Sequence, residues 1–194
     1  MTLDSASQKR DVRRHLRAAL SALSPEQRLR DSVAACALLR RQSLWHEAQR
    51  ILFFAPLPGE VDVAPLLREA LDAGKTAALP GYVTATGVYQ AFVISHLTDD
   101  CAPGKYGIVE PAPSCPSIAL NRLDLVLAPG LGFDLTGHRL GRGQGFYDRL
   151  LANTTAIKCG VAFDAQIVER LPAEAHDVRM NCLLTPTRWL QWPP

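Results

Sequence analysis

The sequence predicts an α/β fold in three layers, a mainly parallel sheet with helices on both faces. Three observations lead there. Short apolar runs at 50–55, 75–79, 123–128 and 157–163 have the length of buried strands and end in Pro, Gly or Asp. Segments with helical spacing separate several of them, and that alternation is the mark of parallel strands joined by crossover helices. Loops carrying acids, arginines and glycines follow the strands, and folds of this class gather ligand groups at the carboxyl edge of the sheet.

The elements follow in order. Residues 9–23 read as an amphipathic helix with Val12, Leu16, Ala19, Leu20 and Leu23 on its apolar side. Arg10, Arg13, Arg14 and Arg17 form a basic stripe beside it, which fits either a solvated face or a phosphate contact by Lys9 and Arg13. Ser24 is an N-cap, Pro25 the first helical residue and Gln27 the partner for a capping box. That second helix runs to about residue 41, with Leu29, Val33, Cys36 and Leu39 or Arg40 marking its sides. Strand 50–55 ends at Phe54 and Ala55, and a stiff Pro56-Leu57-Pro58-Gly59 loop then presents Glu60 and Asp62. Asp62 is also placed to cap the helix predicted over 63–73, which Gly74 terminates. Pro80-Gly81 is expected to stop strand 75–79. Residues 88–94 alternate like a strand nearer an edge, and 111–116 form a proline-rich loop. A last strand covers 182–185, and Trp189 and Trp192 close the chain.

The densest chemistry lies between strand 123–128 and a helix starting near Gly145. There Gly141, Gly143 and Gly145 alternate, with Arg139 and Arg142 interleaved. Glycines let the chain take positive φ and let a ligand approach the main chain. Free amides at a turn leading into a helix make a phosphate site, and arginines add paired donors. Asp148, one turn into the helix, is either a Mg²⁺ ligand bridging those phosphates or a first-turn carboxylate that complements the helix dipole. The window is neither common nucleotide fingerprint: Phe146-Tyr147 stands where a P-loop needs Lys-Ser or Lys-Thr, and Phe146 takes the place of the last glycine of a dinucleotide loop.

Composition narrows the classes. A chain of 194 residues that is 47% hydrophobic suits one domain, 1–194, with an ample core. A net charge of +2 implies no bulk attraction to nucleic acid or membrane, and no apolar run approaches a membrane span. The five cysteines are odd in number without C-x-x-C spacing, which reads as thiols in a reducing cytosol. The five histidines show no H-x-x-x-H pair and none is assigned to a metal.

The run Phe133-Asp134, Gly137, then Arg139-Leu140-Gly141-x-Gly143-x-Gly145-Phe146-Tyr147-Asp148-Arg149 resembles the signature of the 5-formyltetrahydrofolate cyclo-ligases, also called methenyltetrahydrofolate synthetases. The likeness extends from Lys9 to Thr185. It includes a Lys9-x-x-x-Arg13 pair, a Leu23-Ser24-x-x-x-Arg28 segment, a Pro56-x-x-x-Glu60-Val61-Asp62 segment, Gly107-Ile108-x-Glu110-Pro111, and a Gly160-Val161-Ala162-Phe163-x-x-Gln166 element ending in His176-Asp177. Phe146, where many members have Tyr, Arg179 in place of Pro and Asn181 in place of Asp are its departures.

The resemblance implies a Rossmann-like scaffold similar to the sugar-phosphate isomerase and CoA transferase type. It implies Mg²⁺- and ATP-dependent closure of 5-formyltetrahydrofolate to 5,10-methenyltetrahydrofolate. Carried onto this sequence, it puts ATP at Lys9, Arg13, Arg139, Leu140, Gly141, Arg142, Gly143, Gln144, Gly145, Phe146 and Tyr147. It puts the folate at Phe54, Glu60, Arg142, Gly143, Gln144, Gly145 and Phe146, with Glu110 a minor candidate, and the metal at Asp148 and Asp177. Arg142, Tyr147 and Glu60 are the residues it makes catalytic. A cytoplasmic monomer acting on small molecules, folate polyglutamates among them, is the matching expectation. Two other classes fit the residues alone: a sugar-phosphate or CoA-ester enzyme using the loop without ATP hydrolysis, and a non-catalytic nucleotide- or nucleic-acid-binding module.

Overall fold

The computed structural model describes residues 5–84, 87–96, 98–104, 109–174 and 177–192. The expected features at Lys105 to Ile108 and at His176 lie outside them. Two helices open the chain, α1 (Ser5–Ser21) and α2 (Pro25–Arg40), and a short α3 (Ser43–Glu47) follows. Ser24 caps α2 as expected: its Oγ accepts the Gln27 N–H at 3.2 Å, and Pro25 sits in the first turn, where a missing N–H costs nothing.

The main sheet contains β1 (Arg50–Leu52), β2 (Thr76–Val83), β3 (Val88–Ile94), β6 (Ser117–Ile118), β7 (Leu125–Pro129), β10 (Ile157–Val161), β12 (Cys182–Leu184) and β13 (Trp189–Gln191). Among the described residues their order is β13-β12-β10-β7-β1-β2-β3-β6. The five strands from β12 to β2 are parallel, and antiparallel neighbours close both edges. Numbered in chain order, the parallel strands lie in the doubly wound order 2-1-3-4-5, which reverses between β1 and β7. Two smaller groups complete the strands: β11 (Ile167–Val168), β8 (Gly132–Asp134) and β9 (Arg139–Leu140) in one, and β4 (Cys101–Pro103) with β5 (Val109–Pro111) in the other.

Alternation along the strands builds two cores. Ile51, Phe53, Leu125, Leu127 and Leu184 face one side, against Leu16 and Leu20 of α1, Cys36 and Leu39 of α2, Trp45 of α3, and Leu66 and Leu67 of α4 (Ala64–Asp72). Leu52, Val126, Ala128 and Leu183 face the other, against Leu150 and Leu151 of α5 (Phe146–Ala152). Among the described residues α-helices cover both faces as expected, four on one and one on the other.

Two local expectations are corrected. Pro80-Gly81 does not end β2, which runs on to Val83 by pairing with β3. β1 is only three residues long, so no parallel neighbour asks the Pro80 nitrogen for a ladder bond. Gly81 lies under the Phe92 ring, where a Cβ would approach to 2.9 Å. Leu29 and Val33 do not mark a buried side of α2: they are 66% and 59% exposed, and Ser32, Ala35, Cys36 and Leu39 make the contact instead. Asn181 stands just before β12 and ties it to its neighbours: its Oδ1 accepts the Lys158 N–H at 2.9 Å, and its main chain bonds Lys158 and Trp192. The cysteines are all unpaired thiols, and among the described residues no helix is long and apolar enough to cross a membrane.

The turn from β8 to β9 is built on Asp134, whose side chain has no exposure. Its oxygens accept N–H bonds from Thr136, His138 and Leu171 at 2.9, 2.9 and 3.0 Å, and the Thr136 hydroxyl at 2.8 Å. Burial alone would raise the carboxyl, but these donors outweigh it and hold it below its ordinary value. Its contribution to stability is therefore complete above the unfolded-chain pKa near ~4 and is lost as pH falls through the depressed folded value. Asp134→Ala is expected to cost about 3 kcal/mol or more in urea unfolding, since each stranded buried donor costs ~1–3 kcal/mol. Asp134→Asn should flatten the acid limb of the stability–pH curve relative to the wild type.

Candidate active site

The site lies where the strand order reverses. Phe54 and Ala55 leave the end of β1, Pro129 and Gly130 leave the end of β7, and all four line one cleft of about 450 Å³. That is the size of a small-molecule pocket.

Glu60 reaches it on the loop after β1. Gly59, at φ 92°, makes the turn, and the Glu60 N–H donates to the Leu57 carbonyl at 2.9 Å. The side chain folds back so that Oε2 accepts the Leu57 N–H at 3.0 Å. Oε1 accepts from Arg142 Nη2 at 2.9 Å and Nε at 3.3 Å. Phe54, Leu57, Pro80, Tyr89 and Val109 give the same cleft its apolar walls, and Glu110 also lines it.

The opposite wall is the glycine loop. Arg139 leaves β9 with its side chain buried. Its Nη1 donates to the Pro129 carbonyl at 3.2 Å, its Nη2 pairs with Asp148 Oδ1, and its Nε has no partner. The guanidinium lies over the Tyr147 ring, 5.6 Å from its centre. Burial, then the neighbouring Glu60 carboxylate, pushes the Tyr147 phenol far above its ordinary value, so at neutral pH it is a neutral hydrogen-bonding group. Gly143 and Gly145 adopt φ 109° and 65°, as the alternating pattern predicts, while Gly141 does not use positive φ. Phe146 packs on Tyr89 with ring centres 4.7 Å apart.

The structure brings Glu60, Phe54, Arg139, Gly141, Arg142, Gln144, Gly145, Phe146, Tyr147 and Asp148 to this cleft. Arg13 joins them indirectly, as its Nε donates to the Gly141 carbonyl at 3.0 Å. The α1 stripe divides: Arg13 turns inward, while Arg10, Arg14 and Arg17 are exposed and Arg14 pairs with Asp11. Lys9 is held by Glu174 and Asp177 at 2.9 and 3.0 Å. Burial would lower its ammonium, but the two carboxylates outweigh this and raise it. Leu140 is buried in the core and its carbonyl accepts the Leu131 N–H at 2.8 Å. Gly143 lies beyond the cleft lining, beside the Arg13 guanidinium.

For a metal, the described residues offer no gathering of three or more His, Cys, Asp or Glu. Mg²⁺ keeps most of its waters and takes phosphate oxygens, so one or two carboxylates suffice. Asp148 fits that demand from inside the cleft, with Oδ1 already oriented by Arg139. Asp177 does not line the cleft and is engaged by Lys9.

Residues 5–186 match the model of the 5-formyltetrahydrofolate cyclo-ligase family. The chain belongs to that family. A 5-formyltetrahydrofolate cyclo-ligase of Escherichia coli strain K12 is 32% identical over 175 residues, spanning 88% of this chain and 96% of that protein. The Mus musculus protein of the same name is 29% identical over 200 residues, spanning 95% of each. The NMR structure of Aquifex aeolicus 5,10-methenyltetrahydrofolate synthetase matches with a TM-score of 0.84 at 31% identity, over 94% of this chain and 92% of that one. A Mycoplasma pneumoniae 5,10-methenyltetrahydrofolate synthetase shares the fold, with a TM-score of 0.71 at 21% identity. The chain is thus a cyclo-ligase-family enzyme with a mixed α/β fold.

Sequence reasoning missed Tyr89, Leu57, Pro80 and Val109 as cleft residues. Tyr89 lies in the predicted strand 88–94, and nothing in its neighbours distinguishes it from a surface strand residue. A test of the loop follows from its backbone. Gly143→Val forces a β-branched residue to φ 109° and is expected to lower unfolding free energy by about 1–3 kcal/mol. Urea denaturation measures this, and unchanged stability would mean that the loop adopts another conformation.

Proposed function

We propose that the cleft closes 5-formyltetrahydrofolate to 5,10-methenyltetrahydrofolate at the expense of ATP, with ADP and phosphate as products. The observation that carries this reading is the pairing of two unlike walls. One is apolar with a shielded carboxylate, Glu60; the other is a glycine loop with Arg139, Arg142 and Asp148. The first suits a pterin, a flat ring whose edge donates N–H bonds. The second suits phosphates.

The chemistry asked of this chain is positioning and charge neutralisation. A formamide oxygen is a poor leaving group. The formyl oxygen attacks the γ-phosphorus of ATP, the bond to ADP breaks, and an iminium phosphate results. N10 then attacks the activated carbon, loses its proton, and the C–O bond breaks to release phosphate. In this reading Arg142 and Arg139, which line the cleft, neutralise the charge that builds on the transferred phosphoryl group, and the glycine amides supply fixed dipoles. Glu60 orients the pterin edge, and neutral Tyr147 offers a hydroxyl beside the arginines. Mg²⁺, when bound at Asp148, neutralises phosphate charge. Arg13, fixed to the Gly141 carbonyl, places α1 against the nucleotide loop. No covalent protein intermediate is required. A single catalytic domain acting as a cytoplasmic monomer, and accepting polyglutamylated folate, completes the reading.

The test is a spectrophotometric assay of 5-formyltetrahydrofolate with MgATP, following the near-ultraviolet band of the methenyl product. Loss of the band on omitting ATP, magnesium or folate in turn is the expected outcome. Absence of the band with folded protein overturns the reading. In the same assay Arg13→Ala should raise KM for ATP about tenfold or more with a smaller change in kcat, the signature of lost ground-state binding by a charged donor. Arg142→Ala should instead depress kcat. An Arg13→Ala enzyme with unaltered KM would remove α1 from the nucleotide site.

A further inference from the structure

We propose that Arg142 and the pterin edge of the substrate exchange places on Glu60, so that filling the folate subsite releases Arg142 to the nucleotide phosphates and the two ligands bind cooperatively. This rests on the proposed function and adds a coupling between its two halves.

The ion pair is asymmetric. The Glu60 side chain is 7% exposed, and its second oxygen is fixed by the Leu57 N–H. Arg142 is 42% exposed and stands between Gly141 and Gly143, the latter at φ 109°. Glu60 is therefore the fixed partner and Arg142 the movable one. Two N–H groups of one planar guanidinium, on Nη2 and Nε, converge on Oε1. The 2-amino-4-oxopyrimidine edge of a pterin presents the same feature, adjacent N–H groups in one plane. Arg142 thus occupies the acceptor that the substrate needs, with the donor pattern that the substrate carries. A shielded carboxylate oxygen with one donor pair already in place has little capacity for a second.

Displacement alone would leave an arginine without its anion. A phosphate supplies that anion with matching fork geometry, so each ligand lowers the cost of binding the other. A ligand that cannot donate to Glu60 leaves Arg142 where it is. The pair then also acts as a selectivity device: nucleotide is held tightly only beside a ligand that can replace a guanidinium.

Calorimetry tests this with 5-formyltetrahydrofolate and a non-hydrolysable ATP analogue in magnesium buffer, each titrated alone and with the other saturating. The expected result is that each tightens the other by the same factor, about tenfold, as linkage requires. Arg142→Ala should bind the folate more tightly than wild type in the absence of nucleotide and lose the coupling. Glu60→Gln should bind the analogue alone about as tightly as wild type does with folate present. If both ligands bind the wild type independently, the exchange is overturned and the proposed function stands. Weaker folate binding by Arg142→Ala also overturns the exchange. If neither ligand binds, the proposed function falls and the exchange with it.

Discussion

Between β8 and β9 a carboxylate with no access to water, Asp134, gathers three main-chain N–H groups and a hydroxyl. Taking a carboxylate out of water costs several kcal/mol, and charge-assisted bonds worth ~1.5–3 kcal/mol each offset it. The same bonds hold the turn in one conformation. Gly137, at φ 88°, completes that turn, and Arg179 braces it through the Thr136 carbonyl. The turn aims β9 so that Arg139 enters the floor of the cleft. Arg139 in turn fixes Asp148, lies over Tyr147 and binds the end of β7. The position of α5, and of the glycine loop that precedes it, thus descends from one buried anion remote from the cleft lining.

The sheet supplies the second constraint. The crossover from β1 to β2 carries α4 on one face, and that from β7 to β10 carries α5 on the other. The chains leaving β1 and β7 diverge there, and divergence opens a crevice that side chains alone would not keep open. The loop bearing Glu60 and the loop bearing Pro129 and Gly130 are its two lips. The uneven layering follows from the opening helices. α1, α2 and α3 pack with α4, which leaves α5 as the single α-helix of the other layer among the described residues and brings Arg13 over the Gly141 carbonyl.

Much of this could be read from the sequence because it depends on local chemistry. The Ser24-Pro25 cap, the strands around 51, 77, 126 and 159, and the glycine loop each carry their own signal. What escaped depends on distant neighbours. β8, β9 and β11 are two or three residues long, too short for a periodicity to register, and exist only by pairing with one another. Pro80 breaks a strand when the neighbour its nitrogen faces needs an N–H there, and the sequence does not state the length of that neighbouring strand. Leu29 and Val33 fit a helical apolar pattern, yet the face of α2 that meets the sheet is set by small residues, Ser32 and Ala35. Tyr89 enters the cleft because β3 lies beside β2, a topological fact. For the site, the residue types in one window pointed to phosphate, but Lys9 with Asp177 and Glu60 with Arg142 are pairings across more than 80 residues that no local pattern encodes.

Those pairings bear on how the cleft meets an anion. Each cation proposed for the nucleotide already has a partner: Arg139 has Asp148 and the Pro129 carbonyl, Arg142 has Glu60, Arg13 has the Gly141 carbonyl, and Lys9 has Glu174 and Asp177. Without such partners, neighbouring positive groups would repel one another and strain the loop that holds them. On the proposed reading, a phosphate arriving here replaces existing contacts more than it adds new ones, so its affinity reflects a difference between two sets of charge-assisted bonds. Arg139 is the exception in part: its buried Nε has no acceptor, and the atom next to it is tied to Asp148. Such a group, fixed before any ligand arrives, can stabilise charge that develops during phosphoryl transfer without reorganising at the moment of reaction. The half-exposed Arg142, by contrast, moves to take part under the proposed exchange. On the proposed reading the two arginines have different tasks, Arg139 of β9 as a preset charge in the floor and Arg142 as a mobile clamp at the rim.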